Sequence, residues 1–308
     1  MASSGRIVIL GTGGTIAGTA ANATDAVGYT AAQLGVERLV AAVPALAALP
    51  LECEQVAQLD SKDMDHATWQ RLAQRCDFHL ARTDVAGVVI THGTDTLEET
   101  SYFLHRVLAP SKPLVLTAAM RPATALSADG PANLADAVGL ARHEGARGVL
   151  VVVAGAVHAG AEVRKVSTMA LDAFTSADAG PVARVDNGRA RSLRPWPAGE
   201  PLGMPSIACD VSAWPRVAIV ASHAGASAFE VDALVAAGVQ GLVVAATGNG
   251  TLHRALAGAL DRARAAGVCV LVATRCALGR LVDVEGAGGL TPAQARVRLL
   301  LDLLRDGA

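Results

Sequence analysis

An apolar run gives way to small polar residues within residues 87–100, GVVITHGTDTLEET. The run Val88-Val89-Ile90 is typical of a buried parallel strand, and an acidic, helix-starting segment follows it. Open α/β sheets bind ligands at the carboxyl ends of such strands, so Thr94 and Asp95 are candidates for chemistry. The alternative is structural: Thr94 or Thr96 caps the next helix, and Asp95 interacts favourably with the N-terminal dipole of that helix.

A second strand end of this kind lies near the start of the chain. Residues 6–10, RIVIL, precede the segment 11–18, GTGGTIAG, whose glycines allow a sharp turn and a close approach to a ligand. Ile16 stands where a dinucleotide fingerprint needs its third glycine, and no lysine follows in phosphate-loop spacing. What remains is an exposed hydroxyl, Thr15. Two turns that each present a threonine suggest acyl transfer by a hydroxyl nucleophile.

These two segments carry a family resemblance. TGGTIAG at 12–18 and HGTDTLEET at 92–100 resemble the two signatures of the bacterial-type L-asparaginase family, which includes the glutaminase-asparaginases. The likeness continues through residues 112–138 and 248–250 and covers most of the chain in the right order. It implies hydrolysis of L-asparagine, or of L-glutamine as a side activity, through an acyl-threonine intermediate. It also implies no cofactor and no metal, and a homodimer or homotetramer.

The resemblance implies roles for five residues. Thr15 is the nucleophile, and Tyr29, on a flexible loop, hydrogen-bonds it. Thr94, Asp95 and Lys165 form a second relay, in which Thr94 orients or activates water and Asp95 also pairs with the substrate's α-ammonium group. From the residues alone, Tyr29 reads as a loop tyrosine over apolar surface, and Lys165, beside an arginine, as part of a solvated charged cluster.

The resemblance also supplies candidates for substrate binding. Ser61 matches a serine that binds the substrate's α-carboxylate, although it is also placed to cap the next helix. Lys62 stands where well-known members have Gln or Glu, and it either pairs with that carboxylate or points away. Ala119, at a strand end, is a further candidate. Asn249 matches an asparagine that reaches a neighbouring subunit's site, or it is a turn residue in left-handed geometry. Glu285 is a candidate for binding the substrate's amine at the neighbouring subunit's site.

Several other residues are expected to have structural roles. Arg121 and Asp129 are expected to tie the loop after Ala119 together. Three of the eight histidines, His92, His158 and His223, show no ligand spacing and are expected to be structural. Local patterns predict helices from about 65 to 82 and over 97–108. Capping patterns predict further helix starts at three pairs, namely Thr30 with Gln33, Ser227 with Glu230, and Thr291 with Gln294.

The whole chain limits the possible functions. It has 308 residues, 52% of them hydrophobic, and a net charge of −2, which gives no reason to expect binding to nucleic acid or to a membrane surface. No apolar run approaches the ~20 residues of a membrane span. The segment before residue 6 lacks the features of a signal peptide, and five cysteines without a CxxC pair favour neither metal nor disulfides. The expected location is the cytoplasm.

Alternating strand and helix patterns predict a two-domain α/β protein. A larger N-terminal catalytic domain spans 1–194, a proline-rich linker spans 195–215, and a smaller C-terminal domain spans 216–308, each domain with a mostly parallel sheet flanked by helices. Two other functions fit the same residues. One is a different amidohydrolase or amidotransferase on this scaffold, and the other is a non-catalytic amino-acid sensor that kept the pocket.

Overall fold

The architecture comes from a computed structural model, and the structure describes residues 5–25 and 28–307. The chain divides into two compact units between Met204 and Pro205, inside the segment predicted as a linker. Among the described residues, no helix combines the length and the apolar character needed to cross a membrane.

The first unit is built on a large sheet. Its strands, with those of two small ribbons, are β1 (Arg6–Gly13), β2 (Thr19–Ala20), β3 (Tyr29–Thr30), β4 (Leu51–Leu59), β5 (Val85–Thr91), β6 (Pro113–Thr117), β7 (Gly148–Val153), β8 (Ala156–Ala159), β9 (Arg164–Lys165), β10 (Phe174–Thr175), β11 (Ala183–Asp186) and β12 (Arg189–Ser192). The large sheet has the order β12-β11-β8-β7-β6-β5-β1-β4. Strands β4, β1, β5, β6 and β7 run parallel, and β8, β11 and β12 add an antiparallel edge.

Helices cover both faces of this sheet. They are α1 (Val36–Ala41), α2 (His66–Ala81), α3 (Leu97–Leu108) and α4 (Gly130–Ala141). Alternate residues of a strand face opposite sides, and Ile7 and Ile9 of β1 join the core beneath α1 and α4. The central strands are apolar up to their carboxyl-terminal residues because both of their faces are buried. The helix predicted over 97–108 is confirmed, as is the one predicted from about 65 to 82.

The second unit holds a smaller three-layer fold. Its elements are β13 (Val217–Ala221), α5 (Phe229–Ala236), β14 (Gly241–Ala246), α6 (Arg254–Ala265), β15 (Cys269–Thr274) and α7 (Pro292–Arg305). The three strands form a parallel sheet in the order β13-β14-β15, with separate apolar cores on its two faces. The predicted class, two α/β parts with mostly parallel sheets, is confirmed.

Of the three predicted helix starts, two are confirmed, one of them to within a residue, and one is wrong. Thr291 and Gln294 form a reciprocal capping box at the start of α7. The start at Thr30 is wrong, because Thr30 pairs with Thr19 in the β2–β3 ribbon and α1 begins only at Val36. The start at Ser227 is confirmed to within one residue, since Ser227 Oγ accepts from the backbone N of Phe229, the first residue of α5, at 3.1 Å, although Ala228 holds the N-cap position.

Candidate active site

The two threonine-bearing turns lie against each other at the carboxyl ends of β1 and β5, which are parallel neighbours. A Cβ atom added to Gly14 would stand 2.4 Å from the Cα and N atoms of Gly93, and one added to Gly93 would stand 2.4 Å from Ser61 Oγ. Glycine permits this approach, and Gly14 also has a left-handed φ of 82°. The contact brings together Thr15 and Thr94, each one residue beyond its glycine.

Thr15 shares a hydrogen bond with Tyr29, with 2.7 Å between the two hydroxyl oxygens. Thr15 is only 7% exposed, so the expectation of an exposed hydroxyl is wrong, because the turn packs under Tyr29. Tyr29 lies on β3 opposite Ala20 of β2. A Cβ atom on Gly18 would stand 3.0 Å from Cδ2 of the tyrosine ring, so this glycine lets the ring pack down. The β2–β3 ribbon thus presents the phenol to Thr15.

Thr94 has an ammonium group as its partner. Lys165 Nζ donates to Thr94 Oγ1 at 2.8 Å and to Asp95 Oδ1 at 2.7 Å. Lys165 is the second residue of β9, and successive side chains of a strand point to opposite faces. The preceding Arg164 is buried at 6% exposure. The lysine, and not the arginine beside it, therefore contacts the Thr94 turn.

Ser61 supports the same turn, and its predicted alternative role is wrong. Helix α2 is capped by Asp65, whose side chain accepts from Thr68 N at 2.7 Å, so Ser61 does not cap it. Ser61 is 2% exposed, and its Oγ accepts from the backbone N of Asp95 at 3.2 Å. Its carbonyl accepts from Thr96 Oγ1 at 2.8 Å. Thr96 holds the N-cap position of α3, yet its side chain makes no capping bond there.

Lys62 is paired within its own turn. Its Nζ donates to the Asp63 carboxylate and lies 3.8 Å from Asp60 Oδ2, with 60% of the side chain exposed. The hydrogen bond to Asp63 raises the pKa of Lys62, and Asp60 and Asp95 act in the same direction. Lys62 is thus a charged group at the border of the Asp95 site, and its partners in this structure are aspartates of its own turn.

A buried chain of hydrogen bonds fixes the turn from behind. Trp69 Nε1 donates to Thr100 Oγ1 at 2.9 Å, and that hydroxyl lies 3.0 Å from His92 Nε2. His92 Nδ1 lies 2.7 Å from the carbonyl oxygen of Gly93. Burial lowers the pKa of His92 to about 4, so the ring is neutral at neutral pH and Nδ1 donates to Gly93. Trp69 and Thr100 were missed from sequence because only the packing of α2 against α3 joins them to His92.

The loop after β6 is tied together as expected. The Asp129 carboxylate accepts from the backbone N atoms of Met120 and Arg121 at 2.9 and 3.0 Å. Asn133 Nδ2 donates to the carbonyl of Ala118 at 2.9 Å and to Asp129 Oδ2 at 3.2 Å. These bonds fix the segment that contains Ala119, which is fully buried.

Two candidates, Asn249 and Glu285, lie in the second unit. Asn249 Nδ2 donates to the carbonyl of Val282 at 2.9 Å, and Asn249 Oδ1 accepts from Val282 N at 2.8 Å. The left-handed residues of this turn are Gly248 and Gly250, so the left-handed reading of Asn249 is wrong. Glu285 is exposed, within the loop that the Asn249 bonds hold.

Comparison with known families gives two matches. The family described as "Asparaginase, N-terminal" matches residues 6–197, and the one described as "Glutaminase/Asparaginase C-terminal domain" matches residues 216–305. The first match contains both threonine turns and Lys165, and the second contains Asn249.

Individual proteins are similar over nearly the whole chain. "L-asparaginase 2" of Escherichia coli (strain K12) is 39% identical over 310 residues, covering 96% of this chain and 88% of the relative. "Probable L-asparaginase periplasmic" of Haemophilus influenzae is 36% identical, with the same coverage of 96% and 88%. A solved structure described as "Probable Cytoplasmic L-asparaginase from Campylobacter jejuni" superposes with a TM-score of 0.92 at 35% identity, covering 97% of this chain and 95% of that one.

Proposed function

Because the chain belongs to the asparaginase family, we propose that it hydrolyses the side-chain amide of L-asparagine to L-aspartate and ammonia. The observation that carries this proposal is the contact between the Gly14 and Gly93 turns. It joins two hydroxyls, Thr15 and Thr94, each with its own hydrogen-bonding partner. Amide hydrolysis needs a nucleophile, stabilisation of the oxyanion and a proton for the departing ammonia.

In the first half of the reaction, Thr15 Oγ1 attacks the amide carbon and forms an acyl-threonine. Tyr29 relays the Thr15 proton, since the two hydroxyls already share a hydrogen bond of 2.7 Å: the phenol oxygen takes up that proton while its own O–H proton passes on toward the departing nitrogen. A backbone N–H of the Gly93–Thr94 turn stabilises the oxyanion. The C–N bond then breaks, and ammonia leaves with the relayed proton.

In the second half, Thr94 and Lys165 act on water. Lys165 Nζ donates to Thr94 Oγ1, which leaves the hydroxyl proton of Thr94 free to orient toward the leaving nitrogen or the incoming water. This half reverses the first with water in place of ammonia: water attacks the acyl carbon while Thr94 orients it, its proton is relayed through Tyr29 to Thr15 Oγ1, the ester bond breaks, and L-aspartate leaves with the Thr15 hydroxyl restored. Asp95, 54% exposed and ion-paired with Lys165, binds the substrate's α-ammonium group.

The remaining proposed contacts are with the α-carboxylate and the side-chain amide of the substrate. Ser61 and Lys62 bind the α-carboxylate, and Ala119 lines the pocket beneath the side-chain amide. The support is positional, because Ser61 Oγ lies 3.2 Å from the backbone N of Asp95 and Lys62 is next in the chain.

Asn249 and Glu285 act at a neighbouring subunit's site in a homodimer or homotetramer. Sedimentation analysis of the purified protein tests that assembly.

Glutamine is the second candidate substrate, supported by the match of residues 216–305 to the glutaminase/asparaginase C-terminal domain family. One extra methylene changes a specificity ratio by only ~1–3 kcal/mol, so both amides merit measurement. The test is coupled ammonia release from purified protein with L-asparagine or L-glutamine at equal concentration. We expect faster release from asparagine. If the protein bound either amino acid without releasing ammonia, the proposed enzyme activity would be refuted, and the non-catalytic amino-acid sensor would become the better explanation.

We also propose the cytoplasm as the compartment. The similar C. jejuni protein, a probable cytoplasmic L-asparaginase, supports this, whereas the H. influenzae relative is a probable periplasmic one. Fractionation of the source cells, with activity followed in each fraction, distinguishes the two locations.

A further inference from the structure

Lys165 is held at both ends by one short segment of chain. Its Nζ donates to Thr94 and Asp95, as described above. Its backbone N donates to Glu98 Oε2 at 2.7 Å. The three acceptors lie within residues 94–98, at the start of α3, so a single turn holds both the ammonium group and the main chain of the lysine.

The main chain of Lys165 has little other regular structure to hold it. β9 has two residues and pairs with the two residues of β10. Two-stranded ribbons are marginally stable on their own. Beyond Lys165 the chain is exposed, with Val166 at 48% and Met169 at 58%. An anchor at the backbone of Lys165 therefore fixes the point from which its long, flexible side chain extends.

A second bond joins the same two segments. Ser101 Oγ, one turn along α3, donates to the carbonyl of Gly160 at 3.0 Å and to that of Glu98 at 3.2 Å. The first turn of α3 is thereby tied both to the start of the segment that leads to β9 and to Lys165 itself. Glu98 supplies the contact nearest the site, a charge-assisted bond in which its carboxylate accepts from the Lys165 backbone N–H.

We propose that Glu98 is a positioning residue that acts through Lys165. Its carboxylate holds the Lys165 backbone so that Nζ reaches Thr94 and Asp95 together. This inference rests on the proposed role of Lys165 in hydrolysis. The competing explanation is that Glu98 only interacts with the dipole at the start of α3. Glu99 lies in the same helical turn and serves as the matched control.

Two substitutions of Glu98 distinguish the length of its side chain from its charge. Glu98→Gln keeps an oxygen at the same reach without the charge, whereas Glu98→Asp keeps the charge but withdraws the oxygen by one methylene. We expect kcat for asparagine to fall on the order of 100-fold in Glu98→Asp and Glu98→Ala, with KM changing less, because small misplacements of a catalytic group have effects of that size. Glu98→Gln should stay within about fivefold of wild type, and Glu99→Gln should match wild type.

A double-mutant cycle tests the route of action. If Glu98 acts through Lys165, then Glu98→Ala should not slow the Lys165→Met variant any further. If the two losses in kcat multiply in the double variant, the proposal is overturned. It is also overturned if Glu98→Asp keeps the wild-type kcat while Glu98→Gln loses it. Wild-type kcat in Glu98→Ala beside an impaired Lys165→Met would refute only the Glu98 inference. Wild-type kcat in Lys165→Met would instead refute the proposed relay on which it rests.

Discussion

Gly14 and Gly93 lie in direct backbone contact, so that a Cβ atom on Gly14 would stand 2.4 Å from the Cα atom of Gly93. This contact joins two turns that are about 80 residues apart in the chain. Each glycine precedes a threonine of the candidate site, and the spacing of the two hydroxyls depends on it.

Adding a methyl group at this contact should impair the site. In Gly93→Ala the new Cβ atom would stand 2.4 Å from Ser61 Oγ, which is buried and hydrogen-bonded to the Asp95 backbone. Overpacking of this kind costs about 1–3 kcal/mol, and we expect kcat to fall with it. The control is Gly258→Ala in α6, where a Cβ atom meets nothing within 4 Å and helix propensity favours alanine. Equal kcat in the two variants would contradict the proposed role of the contact.

The hydroxyl of Tyr29 should act on turnover more than on binding. Tyr29→Phe removes the group that bonds Thr15 and leaves the ring that covers it. We expect kcat for asparagine to fall about 100-fold or more, with KM changed little, since proton transfer to a positioned group contributes that much. Tyr102→Phe, at the other tyrosine of the chain, is the control and should match wild type. A change in KM alone would assign Tyr29 to substrate binding.

The contribution of Lys62 to binding should be small. Its ammonium group is exposed and already paired with Asp63, and exposed ion pairs contribute ~0–1 kcal/mol. We therefore expect Lys62→Gln to raise KM for asparagine by less than about fivefold. Asp63→Asn, which releases the lysine, should lower KM. An increase in KM of the order of 100-fold in Lys62→Gln would show that the lysine abandons Asp63 for the substrate.

Acid should destabilise the first unit through its buried histidines. Burial lowers the pKa of both His92 and His158 from 6.5 to about 4. The unfolded chain then binds more protons than the folded one below pH 6.5, so stability falls from pH 6.5 to about 4. Between pH 7 and 5 we expect a loss of about 2 kcal/mol for each histidine. Urea unfolding at the two pH values measures it, and His92→Asn should flatten the slope. An unchanged slope in that variant would contradict the buried neutral state of His92.

Much of the fold follows from local pattern. Helix α3 has the bounds that its apolar spacing predicts, because helical periodicity is a strong local signal there. The β2–β3 ribbon does not follow from local pattern. Thr30 with Gln33 resembles a helix start, but pairing of Tyr29 with Ala20 outweighs that preference.

The meeting of the two threonine turns could be expected from the sequence, whereas the residues that hold them in place could not. Thr15 and Thr94 stand out because each follows a glycine at the end of an apolar run. Glu98 reads as an ordinary acidic residue at a helix start, and its bond to Lys165 spans 67 positions of the chain. No local pattern encodes a contact of that separation, which exists only once β9 packs beside α3.

The central claim is that the Thr15 hydroxyl is the nucleophile, and Thr15→Val tests it most directly. Valine keeps the volume of the side chain and deletes the hydroxyl. With thermal unfolding unchanged and Thr19→Val as a control, we predict that ammonia release from asparagine falls about a thousandfold or more in Thr15→Val. Release within about tenfold of wild type would contradict the assignment, because the reaction would then proceed without the hydroxyl that the proposed mechanism uses as its nucleophile.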